Sequence, residues 1–292
     1  MPDPAQSPPT GAGQTRSLFG GDLPVRAAAG AILMVAALIA AWAGGFPFLA
    51  FWLVASALVL WEWQKLIGAD RLLARVALGA LTLVAASPLA LHGSAKSALA
   101  ALALGAVLTG FVAGADPRAR LWSGAGVVYA GAIMASPVLL RASPAHGLLA
   151  VLWLFAVVWG TDIMAYVGGR LIGGPKLWRR VSPGKTWSGA LAGAATGALC
   201  GGAVGFFAAP SGARLIPILL LGLAASIVAQ FGDLFESAVK RRFHVKDSSH
   251  LIPGHGGMMD RLDGFVAAAT FAALVGWARA SGDWIAGGLF RW

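Results

Sequence analysis

The sequence predicts an all-α integral membrane protein with about nine membrane-spanning helices. The chain is 58% hydrophobic and 12% charged, whereas soluble domains are about 45–50% apolar and about 25% charged. Apolar runs near the ~20 residues that a bilayer requires recur along it. Alternating strand patterns are absent, which argues against an outer-membrane barrel. A net charge of +10 in such a protein favours anionic headgroups or nucleotides as partners over nucleic acid.

Nine apolar runs form the predicted spans. They lie at about residues 27–43, 46–63, 72–91, 97–114, 121–140, 147–167, 187–209, 215–231 and 265–280. The first run ends in Ala41-Trp42-Ala43, which is typical of a signal-peptidase site. We nevertheless expect an uncleaved helix, because the tail before it is long for a signal peptide.

The composition divides the chain into three regions. Residues 1–25, with several prolines and glycines and little apolar content, predict a disordered cytoplasmic tail. Residues 26–145 carry about five spans and few polar groups, and we interpret Glu62 and Lys65 there as an anchor at the membrane interface. Residues 146–292 form the predicted catalytic region, with cytoplasmic loops at 168–187 and 232–264.

The basic residues indicate which side of the membrane is cytoplasmic. Seventeen of the 22 Lys and Arg residues fall on the side that holds the N-terminus and both polar loops. The other side holds the remaining five, Lys96, Arg141, Arg214, Arg279 and Arg291. Because Lys and Arg are in excess in cytoplasmic loops, we predict a cytoplasmic N-terminus and a C-terminus on the opposite side.

The sixth span contains the first candidate site residue, Asp162. A carboxylate at this depth is costly unless it is paired or bound to a cation, so it is a functional candidate. Helical spacing puts Asp162 on one face with Tyr166 and Gly169, and Arg170 lies one step round the helix. The alternative is a structural Asp–Arg pair that steadies the helix end.

The loop that follows ends in a second candidate stretch, Ser182 to Trp187. Ser182, Pro183 and Thr186 are typical of a helix start, where exposed backbone N–H groups favour an anion. Lys185 would then add a positive charge beside a phosphate. An ordinary basic loop that contacts lipid headgroups is the alternative interpretation.

The eighth and ninth spans are joined by a densely charged stretch. Asp233, Glu236, Ser237 and Lys240 are spaced to share one helical face. Asp260 and Asp263 share a second face, and Arg261 lies between them. Mg²⁺ takes one or two protein carboxylates and fills its other positions with water and phosphate oxygens. Further candidates for contact with substrate are Arg241, Lys246, Asp247, His255, Gly256 and Gly257.

This pattern predicts a clamp for a polyphosphate and its metal at the ends of adjacent helices. A zinc site fits less well, because His244, His250 and His255 lack the tight helical spacing of zinc ligands.

The same residues resemble a known family. The motifs are Ser237-Ala-Val-Lys240-Arg241, Lys246-Asp247-Ser248, Pro253-Gly-His-Gly-Gly257, Asp260-Arg261 and Asp263, preceded by Ser182-Pro-Gly-Lys-Thr-Trp187 and by Asp162, Tyr166 and Gly169-Arg170. Together they resemble the signature of the phosphatidate cytidylyltransferases, also called CDP-diacylglycerol synthases, over about residues 150–280. Ser188 and Ser249 depart from the family pattern, in which an acidic residue and a glycine are common at these positions.

The resemblance implies a reaction of CTP with phosphatidate that gives CDP-diacylglycerol and pyrophosphate and requires a divalent cation. Asp233 and Asp260 are then the expected leading metal ligands, with Asp263 and Ser237 supporting them. The expected phosphate-neutralising residues are Lys185, Lys240, Lys246 and Arg261. The role of Asp247 stays open, as do a monovalent ion beside Mg²⁺ and a homodimer.

Two other functions remain as alternatives. One is a lipid-alcohol kinase that uses CTP as phosphoryl donor, since it shares the need for a nucleotide and a metal. The other is a transporter in which Asp162 and Asp233 line a pathway. Polar residues gathered on one face of the membrane, instead of near the midplane, argue against transport. The resemblance also implies a bacterial-type inner membrane protein whose site faces the cytoplasm.

Overall fold

The structure is a computed structural model that describes residues 23–208, 214–249, 251, 256–280 and 284–290. Its elements in chain order are α1 (Leu23–Ala43), α2 (Gly45–Ile67), α3 (Leu72–Leu91), α4 (Ala95–Val112), α5 (Pro117–Arg141), α6 (Gly147–Leu171), β1 (Lys176–Trp178), β2 (Ser182–Thr186), α7 (Trp187–Ala208), α8 (Leu215–Arg242), α9 (Met259–Arg279) and α10 (Gly287–Phe290).

The long helices coincide with the predicted spans. Among the described residues, the eight helices α2 to α9 are long and apolar enough to cross a membrane. Helix α1 lies at the first predicted span, but its apolar part, Ala28–Ala43, is shorter. The chain is therefore a helical integral membrane protein. Because α1 begins at Leu23, three residues of the predicted tail are helical, and residues 1–22 lie outside the described part.

A small hairpin is the main departure from the predicted helical fold. Strands β1 and β2 pair antiparallel, with Lys176 opposite Thr186 and Trp178 opposite Ser182. The sequence had suggested that a helix begins at Ser182 and Pro183, but both residues lie in β2. Pairing with β1 keeps this segment extended, and glycine at position 184 disfavours an earlier helix start. The helix begins at Trp187, and Thr186 caps it by accepting a hydrogen bond from the backbone N–H of Gly189 at 3.2 Å.

Both ends of the charged stretch 232–264 are helical. Helix α8 continues to Arg242 and α9 begins at Met259, so only residues 243–258 connect the two. The predicted helical spacing of the acidic residues is thus confirmed on both helices. It also means that the carboxylates lie on rigid elements that continue directly from the membrane-spanning segments.

Two groups of helices pack side by side. Helices α2 to α5 contact one another, and α6 to α9 pack in chain order, each against the next. Contacts of α9 with α5 and α2 join the groups. In the core between them, the ring of Trp52 stacks on that of Phe265, with centroids 4.6 Å apart. This packing brings the end of α2 against the start of α9, where the polar residues gather.

Candidate active site

A polar pocket lies between the hairpin and the helices α6 to α9. Its volume is about 580 Å³. The charged residues that line it come from four elements and are Asp162, Arg170, Lys185, Asp233 and Arg261. The structure therefore brings together both stretches that the sequence singled out, the one ending at Trp187 and the one beginning at Gly232.

An ion pair closes one side of this pocket. Lys185 Nζ, on β2, donates to Asp233 Oδ2, on α8, at 2.8 Å. Both side chains keep some exposure, 30% for Lys185 and 20% for Asp233. The pair is therefore accessible from the pocket, so that an incoming phosphate or cation can exchange with either partner.

Two further carboxylates, Asp162 and Asp263, add negative charge beside this pair. Asp162 and Asp263 each interact electrostatically with Asp233, and Asp263 also interacts with Asp162. The positive charges of Lys185 and Arg261 attract the Asp162 carboxylate and partly offset its repulsion by Asp233. Asp263 Oδ1 accepts a hydrogen bond from the backbone N–H of Gly264 at 2.9 Å. A cation in this region would relieve the repulsion among the carboxylates.

The predicted alternative for Asp162, a structural pair with Arg170, is not formed in the described structure. Arg170 Nη1 instead donates to the hydroxyl of Tyr166 at 2.7 Å, and its guanidinium also lies over that ring. Asp162 is exposed to the polar pocket. Its charge is thus available to a ligand of the pocket.

A second polar centre, the buried network, lies where α2, α8 and α9 meet. Lys240 Nζ lies 2.5 Å from Asp260 Oδ1 and 2.9 Å from Glu236 Oε2. The other oxygen of Asp260 accepts from the backbone N–H of Ser248 at 3.0 Å, from the Ser248 hydroxyl at 2.8 Å and from the backbone N–H of Gly257 at 2.8 Å. Four donors therefore hold Asp260, and it would have to exchange a contact to bind a cation.

Glu62 completes the buried network, and its interpretation as an interface anchor is wrong. Its side chain is fully buried. It accepts hydrogen bonds from the backbone N–H groups of Met258 at 2.9 Å and Met259 at 2.7 Å and from the Ser249 hydroxyl at 2.6 Å. Lys65, by contrast, is exposed and lies over the ring of Trp61, as an anchor would. Glu62, like Asp162, is a carboxylate within an apolar span, and this feature of the sequence marks it as a functional candidate.

Two glycines allow the backbone to lie close to the carboxylates of this network. Gly256 has a φ of 79°, which L side chains rarely adopt. A Cβ on Gly257 would collide with the Ser248 hydroxyl and with Glu62 Oε1. Both were predicted to contact substrate, and that stays a prediction. His255, predicted to contact phosphate, lies outside the described residues.

The remaining predicted residues lie around the two centres. Ser182 is half-buried at the start of β2, and Ser237 is half-buried on α8. Arg241, Lys246 and Asp247 are exposed, and Arg241 donates to the backbone carbonyl of Val245 at 3.3 Å. These three side chains are thus accessible to a ligand that extends beyond the polar pocket.

The carboxylates were also compared with the needs of a metal. Within the described chain, no three His, Cys, Asp or Glu side chains converge as a ready-made metal site. Mg²⁺ needs only one or two carboxylates when substrate phosphates and water supply its other ligands. Asp233, with Asp162 and Asp263 close by, fits that requirement.

An apolar groove runs along the opposite face of α8, between the helix pairs α4–α5 and α8–α9. Its volume is about 1230 Å³, and aromatic and aliphatic side chains form nearly all of its wall. Arg120, Thr270 and the hydroxyl of Tyr129 add the few polar groups. The Tyr129 hydroxyl is buried near Asp263 and Glu236 but has no hydrogen-bond partner among the described residues. Tyr129 thus lies between the groove and the acidic residues.

Fold and site together define an integral membrane protein with a charged site on the ends of its last membrane-spanning helices. The cytidylyltransferase family matches residues 24–278, which is most of the chain. The chain belongs to this family.

Several bacterial relatives of this chain are named phosphatidate cytidylyltransferase. The chain is 43% identical to a phosphatidate cytidylyltransferase of Brucella abortus over 237 residues, which is 80% of this chain and 86% of the relative. It is 36% identical to one of Pseudomonas aeruginosa over 230 residues, 75% of this chain and 83% of the relative. A shorter match to one of Haemophilus influenzae, 43% identical over 131 residues, covers 44% of this chain and 46% of the relative. The resemblance that the motifs indicated is therefore confirmed at the level of the family.

Proposed function

We propose that this protein is a phosphatidate cytidylyltransferase, which converts CTP and phosphatidate into CDP-diacylglycerol and pyrophosphate. One observation carries the proposal. Lys185 of the hairpin and Asp233 of α8 meet in a polar pocket that also contains Asp162 and Arg261. Such mixed charges suit a metal-bound polyphosphate, and the name shared by the relatives supplies the reaction.

The chemistry needs positioning and charge neutralisation more than a protein nucleophile. A phosphate oxygen of phosphatidate attacks the α-phosphorus of CTP, and the bond from that phosphorus to the leaving pyrophosphate breaks. Two polyanions must meet for this, so fixed cations contribute most by offsetting their repulsion. We assign this role to Lys185 and Arg261, which line the pocket, and to the exposed Lys246.

We propose Mg²⁺ as the cofactor, held by Asp233 and supported by Asp263 and Asp162. When bound, Mg²⁺ would neutralise developing charge on the phosphate oxygens. Asp260 and Ser237 remain predicted ligands. The four hydrogen bonds to Asp260 favour Asp233 as the first carboxylate to bind the ion.

The lipid substrate is proposed to lie with an acyl chain in the apolar groove. The groove lies between membrane-spanning helices, and Tyr129 in its wall lies close to the carboxylates. Arg120 at the groove offers a positive charge to an anionic headgroup. CTP would enter from the cytoplasmic side, where we propose that the site faces, in a bacterial inner membrane.

The proposal is tested with purified protein, phosphatidate, Mg²⁺ and CTP labelled in either the α- or the γ-phosphate. We expect the α-label to appear in the lipid, together with one pyrophosphate for each lipid formed. Transfer of the γ-label would identify a lipid kinase instead. Solute flux into liposomes without CTP would identify a transporter.

A further inference from the structure

We propose that Glu62 is a positioning residue of this site: from α2 it holds the connection between α8 and α9 so that Asp260 meets Lys240. The inference rests on the proposed function only where activity is the readout. Glu62 lies 186 residues before Ser248 and 197 before Met259 in the chain, and it belongs to none of the motifs that carry the family resemblance.

Glu62 caps a helix to which it does not belong. The first residues of a helix leave backbone N–H groups without partners inside the helix. At the start of α9, the preceding Met258 offers no side-chain acceptor, and no capping bond from it is formed. The carboxylate of Glu62 accepts from the N–H groups of Met258 and Met259 instead. A negative charge at a helix N-terminus also interacts favourably with the helix dipole.

The same carboxylate holds the chain just before α9. Glu62 Oε1 accepts from the Ser249 hydroxyl at 2.6 Å, and Glu62 Oε2 lies 3.2 Å from the Ser248 hydroxyl. Burial of an ionised carboxylate is tolerated only when donors surround it. Three groups donate to Glu62, and the Ser248 hydroxyl, which lies closer to Asp260, is near it as well. Glu62 is therefore matched to the observed positions of Ser248, Ser249, Met258 and Met259.

The link from Glu62 to the site passes through Ser248 and Gly257. Ser248 Oγ lies between the two carboxylates, 3.2 Å from Glu62 and 2.8 Å from Asp260. The backbone N–H of Gly257 donates to Asp260, while its Cα faces Glu62 so closely that a Cβ would not fit. Movement of Glu62 would therefore displace two of the donors that orient Asp260, and with it the Lys240 ion pair.

The test compares wild type with Glu62→Gln in the full-length protein. The amide keeps the size of the side chain but replaces one acceptor oxygen by a donor that faces other donors. Hydrogen exchange at Gly257, Met258 and Met259 should become roughly five- to tenfold faster, as loss of a helix cap predicts. With misplaced catalytic groups, kcat should fall up to about 100-fold, while the KM for CTP should stay within about twofold because the polar pocket is intact.

Two further variants control the comparison. Lys65→Gln lies on the same turn of α2 but is exposed, and it should leave both exchange and kcat as in wild type. Ser249→Ala removes one donor to Glu62 without a direct contact to Asp260, so it should give a smaller change in the same direction. In the Glu62→Gln background, Ser249→Ala should add little, because the bond that it removes is already lost.

The outcomes separate this inference from the proposed function. Wild-type exchange and wild-type kcat in Glu62→Gln would overturn the positioning role. If wild type itself has no cytidylyltransferase activity, the proposed function fails, but hydrogen exchange still tests the contact. If Glu62→Gln does not accumulate in membranes, Ser249→Ala carries the same test, and its failure to change exchange or kcat would also overturn the role.

Discussion

Lys185 Nζ and Asp233 Oδ2 lie 2.8 Å apart and join the hairpin to the end of α8. This contact unites the two charged stretches of the sequence, which are 48 residues apart at these positions. A different lysine, Lys240, pairs with Asp260 and Glu236 in the buried network. The polar pocket and the buried network therefore have separate ion pairs.

Replacement of Lys185 by Ala should impair substrate handling without unfolding the protein. The pair with Asp233 is partly exposed, so its loss should cost only about 0–1 kcal/mol of stability. The KM for CTP should rise at least about tenfold if a charged contact to phosphate is lost. Steady-state kinetics with each substrate varied, together with thermal unfolding, measure both effects. Lys176→Ala, an exposed cation on β1, is the matched control, and equal kinetics for the two variants would reassign Lys185 to contact with lipid headgroups.

Asp233→Asn and Asp260→Asn should differ in stability although both lose activity. Asp233 has one ion-pair partner and is partly exposed, so the asparagine should fold almost as well as wild type. Asp260 accepts four hydrogen bonds, and an amide there would leave donors unsatisfied at a cost of about 1–3 kcal/mol. Denaturation in detergent and turnover of each variant give the comparison. Near-normal turnover of Asp233→Asn would exclude this residue as the metal ligand.

Removal of divalent cations should abolish turnover reversibly. Without a cation, the repulsion between the two phosphate substrates and the carboxylates of the pocket is uncompensated. EDTA treatment should therefore stop formation of the CDP-lipid, and added Mg²⁺ should restore it. Binding of CTP, followed by calorimetry with and without Mg²⁺, gives a readout besides activity. Full turnover in excess EDTA would contradict the metal assignment.

The predicted topology can be tested by labelling single cysteines. Cys200→Ala removes the single natural cysteine. In that background, Lys176→Cys in the hairpin and Lys96→Cys near the start of α4 place exposed thiols at the two predicted sides. A membrane-impermeant maleimide should label Lys176→Cys only in inside-out vesicles and Lys96→Cys only in right-side-out vesicles. The reverse pattern would invert the topology and move the site away from the cytoplasm.

Much of the fold follows from local properties of the sequence. Eight of the nine predicted spans coincide with the helices α2 to α9, which are long and apolar enough to cross a membrane. Length and hydropathy are sufficient to recognise such segments, because they must satisfy their backbone within the bilayer. Helical periodicity likewise predicted that Asp260 and Asp263 share a face. The sequence did not predict the hairpin, because a strand of five residues such as β2 depends on its pairing with β1. In addition, Ser182-Pro183 is a pattern that is also typical of a helix start.

The sequence by itself determined the class of the protein, the positions of its helices and most of the charged residues of the site. The tertiary structure alone decided which charges meet. Lys185 forms an ion pair with Asp233, and Lys240 forms one with Asp260. Glu62, from the first half of the chain, accepts hydrogen bonds at the start of α9. Periodicity cannot reveal such contacts, because they depend on how α2, α8 and α9 pack and on which donors a buried carboxylate finds there.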